Sequence, residues 1–259
     1  MHVVPHTARY ILCTDSPPPL TDAVLLANHI RDALMARSDG APVFSGRSRS
    51  GERLQGHIHA HILPESWNQD GTITHITVHA AMGFDPAAQA VLQELRLLSV
   101  AWGPPLRLAC LGIGEPRDFA GFNTLAGHSP LLVASRIWES RTPFVNTRHE
   151  KSKRTSDSGR GAPVGSAEHD LRRLLEQQGY PQLVSVEPIA KPGFPCAAPA
   201  WERFQVQRPT GRGMRGTGSA GGFRVVFGEV VQGPVAVGYN AHFGLGGFGG
   251  SAEGAGGLG

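Results

Sequence analysis

The sequence predicts an α+β chain: one strand-helix-strand-strand-helix-strand unit, then a degenerate second copy of it. Three observations carry this. Apolar and polar residues alternate strictly over HIHAHIL and again over ITHITVHA. Apolar residues at helical spacing occupy a segment on either side of that pair. After residue 120 a strand-helix-strand pattern returns, without a clear second helix.

Element by element, ARYILC at 8–13 reads as the first strand, closed by the prolines at 17–19. Thr21 or Asp22 can cap a helix that runs to Arg37 with Val24, Ala27, Ile30 and Leu34 on its apolar stripe. The turn-rich, basic stretch GRSRSGERLQG leads to a strand from His57 to Ile62. A loop closing on Asp70-Gly71 joins it to ITHITVHA, making a hairpin. Pro86 suits the first turn of a helix reaching about Val100, and a strand follows over 106–113. This order is that of a ferredoxin-like (RRM-like) unit. The fold class is therefore α+β with two tandem ferredoxin-like domains, over 1–120 and 121–248, and a flexible glycine-rich tail over 249–259. In the second unit the expected elements are a strand at 131–138, a helix at 167–179 and a strand at 183–187. FQV, FRVVFGEVV and VAVGY are further strand candidates. The polar stretch between Arg141 and Gly165 is too long to be a mere connector.

Composition bounds the class of function. The 259 residues are 17% charged, which argues against disorder throughout, and no run approaches the roughly 18 apolar residues of a membrane span. With no secretory signal pattern at the start, the expectation is a cytoplasmic protein that does not engage membranes. Cys13, Cys110 and Cys196 are too far apart for a zinc ribbon or a redox pair. The formal charge is +3 and the sequence pI about 9.0. Of 24 basic residues, 21 are arginine, whose planar fork suits phosphate and base stacking. A polyanionic partner fits this balance, and GC-rich codon usage would produce it as well.

Five of the twelve histidines, His57, His59, His61, His75 and His79, fall within 23 residues. Strand parity puts His57, His59 and His61 on one face, with His75 and His79 beside them if the hairpin pairs apolar face to apolar face. That face is the open one of a ferredoxin-like sheet. Clustered imidazoles suit proton transfer at a phosphodiester, because imidazole alone among unperturbed side chains gains and loses a proton near neutrality. The structural alternative is a polar face packed beneath another domain. A metallohydrolase is the chemical alternative, but Glu65 and Asp70 stand at no standard ligand spacing, so no metal ligand is assigned. His75-Ile76-Thr77 matches the His-x-Thr element of two-histidine phosphoesterases, whereas His57-Ile58-His59 does not supply the second copy such enzymes need. His29 lies at the edge of the first helix's buried stripe.

Arg203, Arg208, Arg212 and Arg215, with Arg224 against the single acid Glu202, make 202–224 the expected RNA-contacting stretch. In GPVAVGYNAHFGLGGFG, His242 with Gly244, Gly246 and Gly247 forms a second candidate RNA contact, since glycine lets backbone N–H groups approach a phosphate.

Taken in order, PVFSG, GHIHAHILPES, DGTITHITVHA with GFD, TPFVNTRH and GPVAVGYNAHFGLGGF resemble the repeat-processing endoribonuclease part of the fused subunit of type I-U (I-G) CRISPR systems. That family belongs to the RAMP superfamily, and the resemblance spans about residues 8–248. It implies tandem ferredoxin-like domains, a glycine-rich loop near the C-terminus, and cleavage of precursor CRISPR RNA within repeats without metal or other cofactor. The implied partners are the repeat RNA and other subunits of a type I surveillance complex. The fused proteins carry a backbone subunit ahead of this region. Here the sequence starts almost at the first strand, so the holding of the guide's 5′ end is not carried over. We expect His59 and His61 to transfer protons, with His57 and His75 positioning or stabilising. His29 is the second choice, because several relatives use a helical position. The non-enzymatic alternative is a guide-RNA-binding subunit.

Overall fold

A computed structural model describes residues 4–68, 70–100, 102–120, 129–147, 165–191, 200–208 and 220–251. Cys196, Arg212, Arg215 and most of the 141–165 stretch lie outside the described residues. The chain is α+β, with two antiparallel sheets.

The first half contains β1 (Thr7–Cys13), α1 (Ala23–Arg37), α2 (Pro42–Ser45), β2 (His61–Glu65), β3 (His75–His79), α3 (Pro86–Glu94), β4 (Leu97–Leu98) and β5 (Leu106–Gly114). Its sheet order is β2-β3-β1-β5-β4. β1 is central because its residues are almost all buried, with Ala8, Tyr10 and Leu12 turned to the helices. Those three, with Ile62, Ile76, Val78 and Leu108, pack against Ile30 and Leu34 of α1 and Leu92 of α3. Asp22 precedes α1 without forming a side-chain cap, whereas Asp85 accepts a hydrogen bond from the Ala88 N–H at 2.7 Å and starts α3. α3 ends at Glu94 rather than near Val100. The turn through Gly103-Pro104-Pro105 brings Leu97 and Leu98 back to pair with Arg107 and Leu106, and strand pairing replaces the last helical turn.

The expected strand over 57–62 begins only at His61. Gly56 and His57 both have left-handed backbone, φ 74° and 54°, which turns the chain away from the ladder. Ala60 N–H then donates to the Val43 carbonyl in α2, and the Ile58 carbonyl accepts from Met82 N–H, so 58–60 bond to a short helix and a turn instead of to a strand.

The second half contains β6 (Ala134–Ser140), β7 (Phe144–Val145), α4 (Ala167–Gln177), β8 (Leu183–Ile189), β9 (Ala220–Gln232), β10 (Val235–Ala236) and β11 (Gly247–Gly250). β11 lies beside β6, and β6 and β8 both pair with β9. Ser166 caps α4 by accepting from the His169 N–H, and Gly179 at φ 78° follows the helix end. FQV is not a strand: it follows a 3-10 turn, Trp201–Arg203, that buries Trp201. The first residues of the expected flexible tail are held in the second sheet. Gly249 and Gly250 pair with Glu139 and Trp138, and Ser251 N–H donates to Ile137; 252–259 lie outside the described residues.

The sheet face expected to be open is largely closed. Leu63 packs with Phe119, Leu131, Leu132, Ala236 and Ala241, and Arg9, Thr77, Glu65 and His75 on that face are buried. Leu63 supplies the apolar contact, and the charge is paired internally: Arg9 Nη1 donates to Glu65 at 2.5 Å, and Ser129 Oγ donates to the other carboxylate oxygen at 2.6 Å. Val145, Trp201, Phe204, Phe243 and Leu245 join the core beneath α1, so apolar packing ties the halves together. Among the described residues no helix is long and apolar enough to cross a membrane.

Candidate functional site

The three upstream histidines meet at a fourth that the hairpin argument does not include. Asn240 at φ 58° and Gly244 at φ 85° bracket a 3-10 turn, Ala241–Phe243, that carries His242. Asn tolerates the left-handed region better than most side chains. Gly244 is required by contact: a Cβ there would meet Pro64 Cδ at 2.6 Å, so the turn sits against β2.

The His242 ring lies between His59, at 3.7 Å and 9°, and His61, at 3.8 Å and 24°. His57 Nδ1 is 3.0 Å from His242 Nε2, and His242 Nδ1 is 3.1 Å from the Ala60 carbonyl oxygen. Burial, helped by Arg31 and His57, pushes the His59 pKa down to about 4. Burial first, and neighbouring imidazoles second, hold His61 and His242 well below the usual histidine range. These three rings are neutral at physiological pH, which is what allows them to stack flat. His59 Nδ1 is buried without a hydrogen-bond partner.

The cluster forms one wall of a cleft of about 740 Å³, lined also by Arg31, Arg47, Arg53 and Arg208. Among the described residues, none that lines it is acidic. Arg31 reaches it from α1 and is held by hydrogen bonds to the carbonyls of Phe44, at 2.9 Å, and Ser45. The guanidinium carbons of Arg31 and Arg208 stand 5.2 and 4.4 Å from the centre of the buried Phe243 ring. Four guanidiniums in one concavity concentrate positive potential and suit a phosphodiester chain. On the far side of His57 a smaller cleft of about 170 Å³ is lined by His61, His79, Gln178 and Tyr180, and His57 lines both.

No family model matches the chain, and no curated protein matches it.

The structure brings His57, His59 and His61 together, but not His75 or His29. His75 sits at the other end of β3, opposite Glu65, with its ring beside Trp67 and its pKa pushed down to about 4 by burial and then by Arg9. His79 Nδ1 is 3.0 Å from Thr7 Oγ1. His29 packs edge-on against Trp102 with ring centres 4.8 Å apart, while Arg31, two residues along the helix, points into the cleft. Of the expected arginines, Arg208 lines the cleft and Arg203 is exposed outside it. Gly244, Gly246 and Gly247 do not offer N–H groups to a phosphate. They are buried and donate to Ala241, to Pro143 and to Thr142 Oγ1.

Arg31, Arg47 and Arg53 were not among the expected site residues. The glycine-bracketed basic run just ahead of the histidines was the available signal for two of them. Among the described residues no group of three or more His, Cys, Asp or Glu side chains is arranged to hold a metal ion. The imidazoles meet by their faces, a geometry that packs rings and does not aim lone pairs at one point. Chemically, the site can bind a polyanion and offer it an exposed imidazole, His57, braced by a second imidazole.

Proposed function

We propose that this chain is a metal-independent endoribonuclease that cleaves precursor CRISPR RNA within its repeats. The ribose 2′-hydroxyl attacks the adjacent phosphate and leaves a 2′,3′-cyclic phosphate and a 5′-hydroxyl. The observation that carries the reading is the meeting of four arginines and a histidine cluster in one cleft that, among the described residues, no acidic side chain lines. The guanidiniums bind the backbone and offset charge developing on the phosphate, and imidazole supplies the proton transfers. The resemblance of the ordered motifs supplies the substrate and the further partners, other subunits of a type I surveillance complex working in the cytoplasm.

We read the architecture as two ferredoxin-like domains. The order β2-β3-β1-β5, with α1 and α3 on one face, supports this for the first; the second, with α4 against β8 and β9, is the degenerate one. The test is incubation of cognate repeat RNA with the chain in excess EDTA. One cut with the stated termini is expected, and RNA carrying a 2′-deoxy at the scissile position should bind uncut. Activity lost to chelator and restored by zinc overturns the metal-independent chemistry. Tight binding with no cut makes the chain a guide-RNA-binding subunit instead.

A further inference from the structure

Two contacts at the floor of the cleft fix proton positions. The Ala60 carbonyl can only accept, so His242 Nδ1, 3.1 Å away, carries the hydrogen. Neutral His242 then presents a lone pair at Nε2. His57 Nδ1, 3.0 Å from that lone pair, must be the donor. The chain of bonds runs from His57 to His242 to Ala60, and in the neutral imidazole it selects the tautomer with its lone pair on Nε2, on a ring exposed to both clefts. His57 is held there with φ 54°, a backbone region a non-glycine residue keeps only where its surroundings impose it.

From this geometry we propose that His57 is the general base and that His242 is a positioning residue that fixes its reactive tautomer. The proposal rests on the endoribonuclease reading for its substrate. His57 Nε2 takes the proton of the 2′-hydroxyl as the 2′-oxygen bonds to phosphorus. The bond from phosphorus to the 5′-oxygen breaks, the leaving oxygen takes a proton from water, and His57 returns its own to the solvent of the cleft, so no net proton is consumed. His59 and His61 each have one ring face covered by His242 and serve as its stacking partners. The groups around His57 are His59, His61 and His242 in the stack, the four cleft arginines, and His79 across the smaller cleft.

The experiment compares His57→Ala, His242→Phe and His242→Gln. His57→Ala should lower single-turnover cleavage about 100- to 10,000-fold with RNA affinity kept within a few fold. His242→Phe keeps a stacking ring but removes the acceptor, and should lower the rate about 10- to 100-fold, as loss of an orienting partner does. His242→Gln restores an acceptor and should recover much of that loss, with the pH-rate profile of the wild type. Nitrogen-15 NMR of the ring nitrogens reads the tautomer directly and needs no activity. The wild type should show His57 with its proton on Nδ1, and His242→Phe should move it towards Nε2. A wild-type spectrum with the proton on Nε2 overturns the positioning role whatever the chain does with RNA. Cleavage undiminished in His57→Ala overturns the base assignment and leaves the endoribonuclease reading standing. A wild type that shows the Nδ1 proton and never cuts RNA overturns the endoribonuclease reading, not the His57–His242 geometry.

Discussion

The ring of His242 lies on that of His59 with centres 3.7 Å and planes 9° apart, so closely that a charge on either would be repelled by a charge on the other. Both are kept neutral, as are His61, His75 and His79, all with pKa values depressed chiefly by burial. A depressed folded pKa means that the unfolded chain binds protons which the folded chain refuses. Stability is then full above the unfolded value, about 6.5, and is lost as pH falls towards the folded values. For His59, His75 and His79 those lie near 4. Each such histidine contributes up to ~1.4 kcal/mol per pH unit in that window. The urea midpoint should therefore drop steeply between pH 6.5 and pH 4.5 and be nearly flat from pH 7 to pH 8. A midpoint independent of pH down to 4.5 would contradict the buried neutral stack.

The arginine cleft predicts a salt signature. Arg53→Ala and Arg208→Ala remove cleft guanidiniums. Each should weaken repeat RNA binding and reduce the slope of log K against log salt by about 0.7 to 1. Arg203→Ala removes an exposed arginine outside the cleft and should change the slope little. Filter binding from 50 to 300 mM salt separates the three. Equal slopes for all variants would mean that RNA runs elsewhere.

Most of the first half is legible in sequence because its signals are local. Alternation, helical spacing, Asp85 ahead of Pro86 and the Asp70-Gly71 turn each act within a few residues. The site is less legible because it is assembled across the chain. Parity puts His57, His59 and His61 on one strand face; the strand starts only at His61, after two consecutive left-handed residues, and it is a ring from Ala241–Phe243 that gathers the imidazoles. His75 obeys the same parity but sits four residues down the strand, beside Glu65, and parity has no measure of distance along a strand. The glycines after His242 read as a phosphate loop, and they serve packing instead, which only the neighbours of each missing Cβ reveal. Arg9 gives no sign in sequence that it is the buried centre of the first sheet.

Gly246 shows what those glycines do. Its φ is 60°, and a Cβ would collide with the Val237 carbonyl oxygen. Gly246→Ala should cost about 3 kcal/mol or more, combining backbone strain with a clash that no side-chain rotation relieves. Gly40, also left-handed but with nothing within 4 Å of its Cβ position, should lose only ~1 kcal/mol on the same change. Thermal unfolding of the two variants reads the difference, and equal losses would refute a packing role for Gly246.

The pair Arg9 and Glu65 is a second test of packing. The carboxylate accepts from Arg9 and Thr77 on one oxygen and from Ser129, of the second half, on the other. Glu65→Ala leaves the buried Arg9 charge without its carboxylate and should destabilise by about 3–5 kcal/mol. Arg9→Met with Glu65→Leu removes both charges and should recover much of that loss, because an apolar replacement no longer strands a charge. Denaturant midpoints of the single and double variants decide it. A double variant no more stable than Glu65→Ala would mean that Ser129 and Thr77, once left without their acceptor, carry the cost.

His29 gives the sharpest comparison for the site. It shares α1 with Arg31, but two residues along a helix turn a side chain by about 200°, and the two face different surroundings. Arg31 lines the cleft; His29 packs edge-on against Trp102, on the loop between β4 and β5. His29→Ala should therefore leave both RNA affinity and single-turnover cleavage within about twofold of wild type, while His57→Ala loses about 100-fold or more. The two variants measured side by side on one repeat RNA decide between a helical and a loop-borne base. If His29→Ala abolishes cleavage and His57→Ala does not, the reactive imidazole lies on α1 and the cleft between Arg208 and His57 only binds.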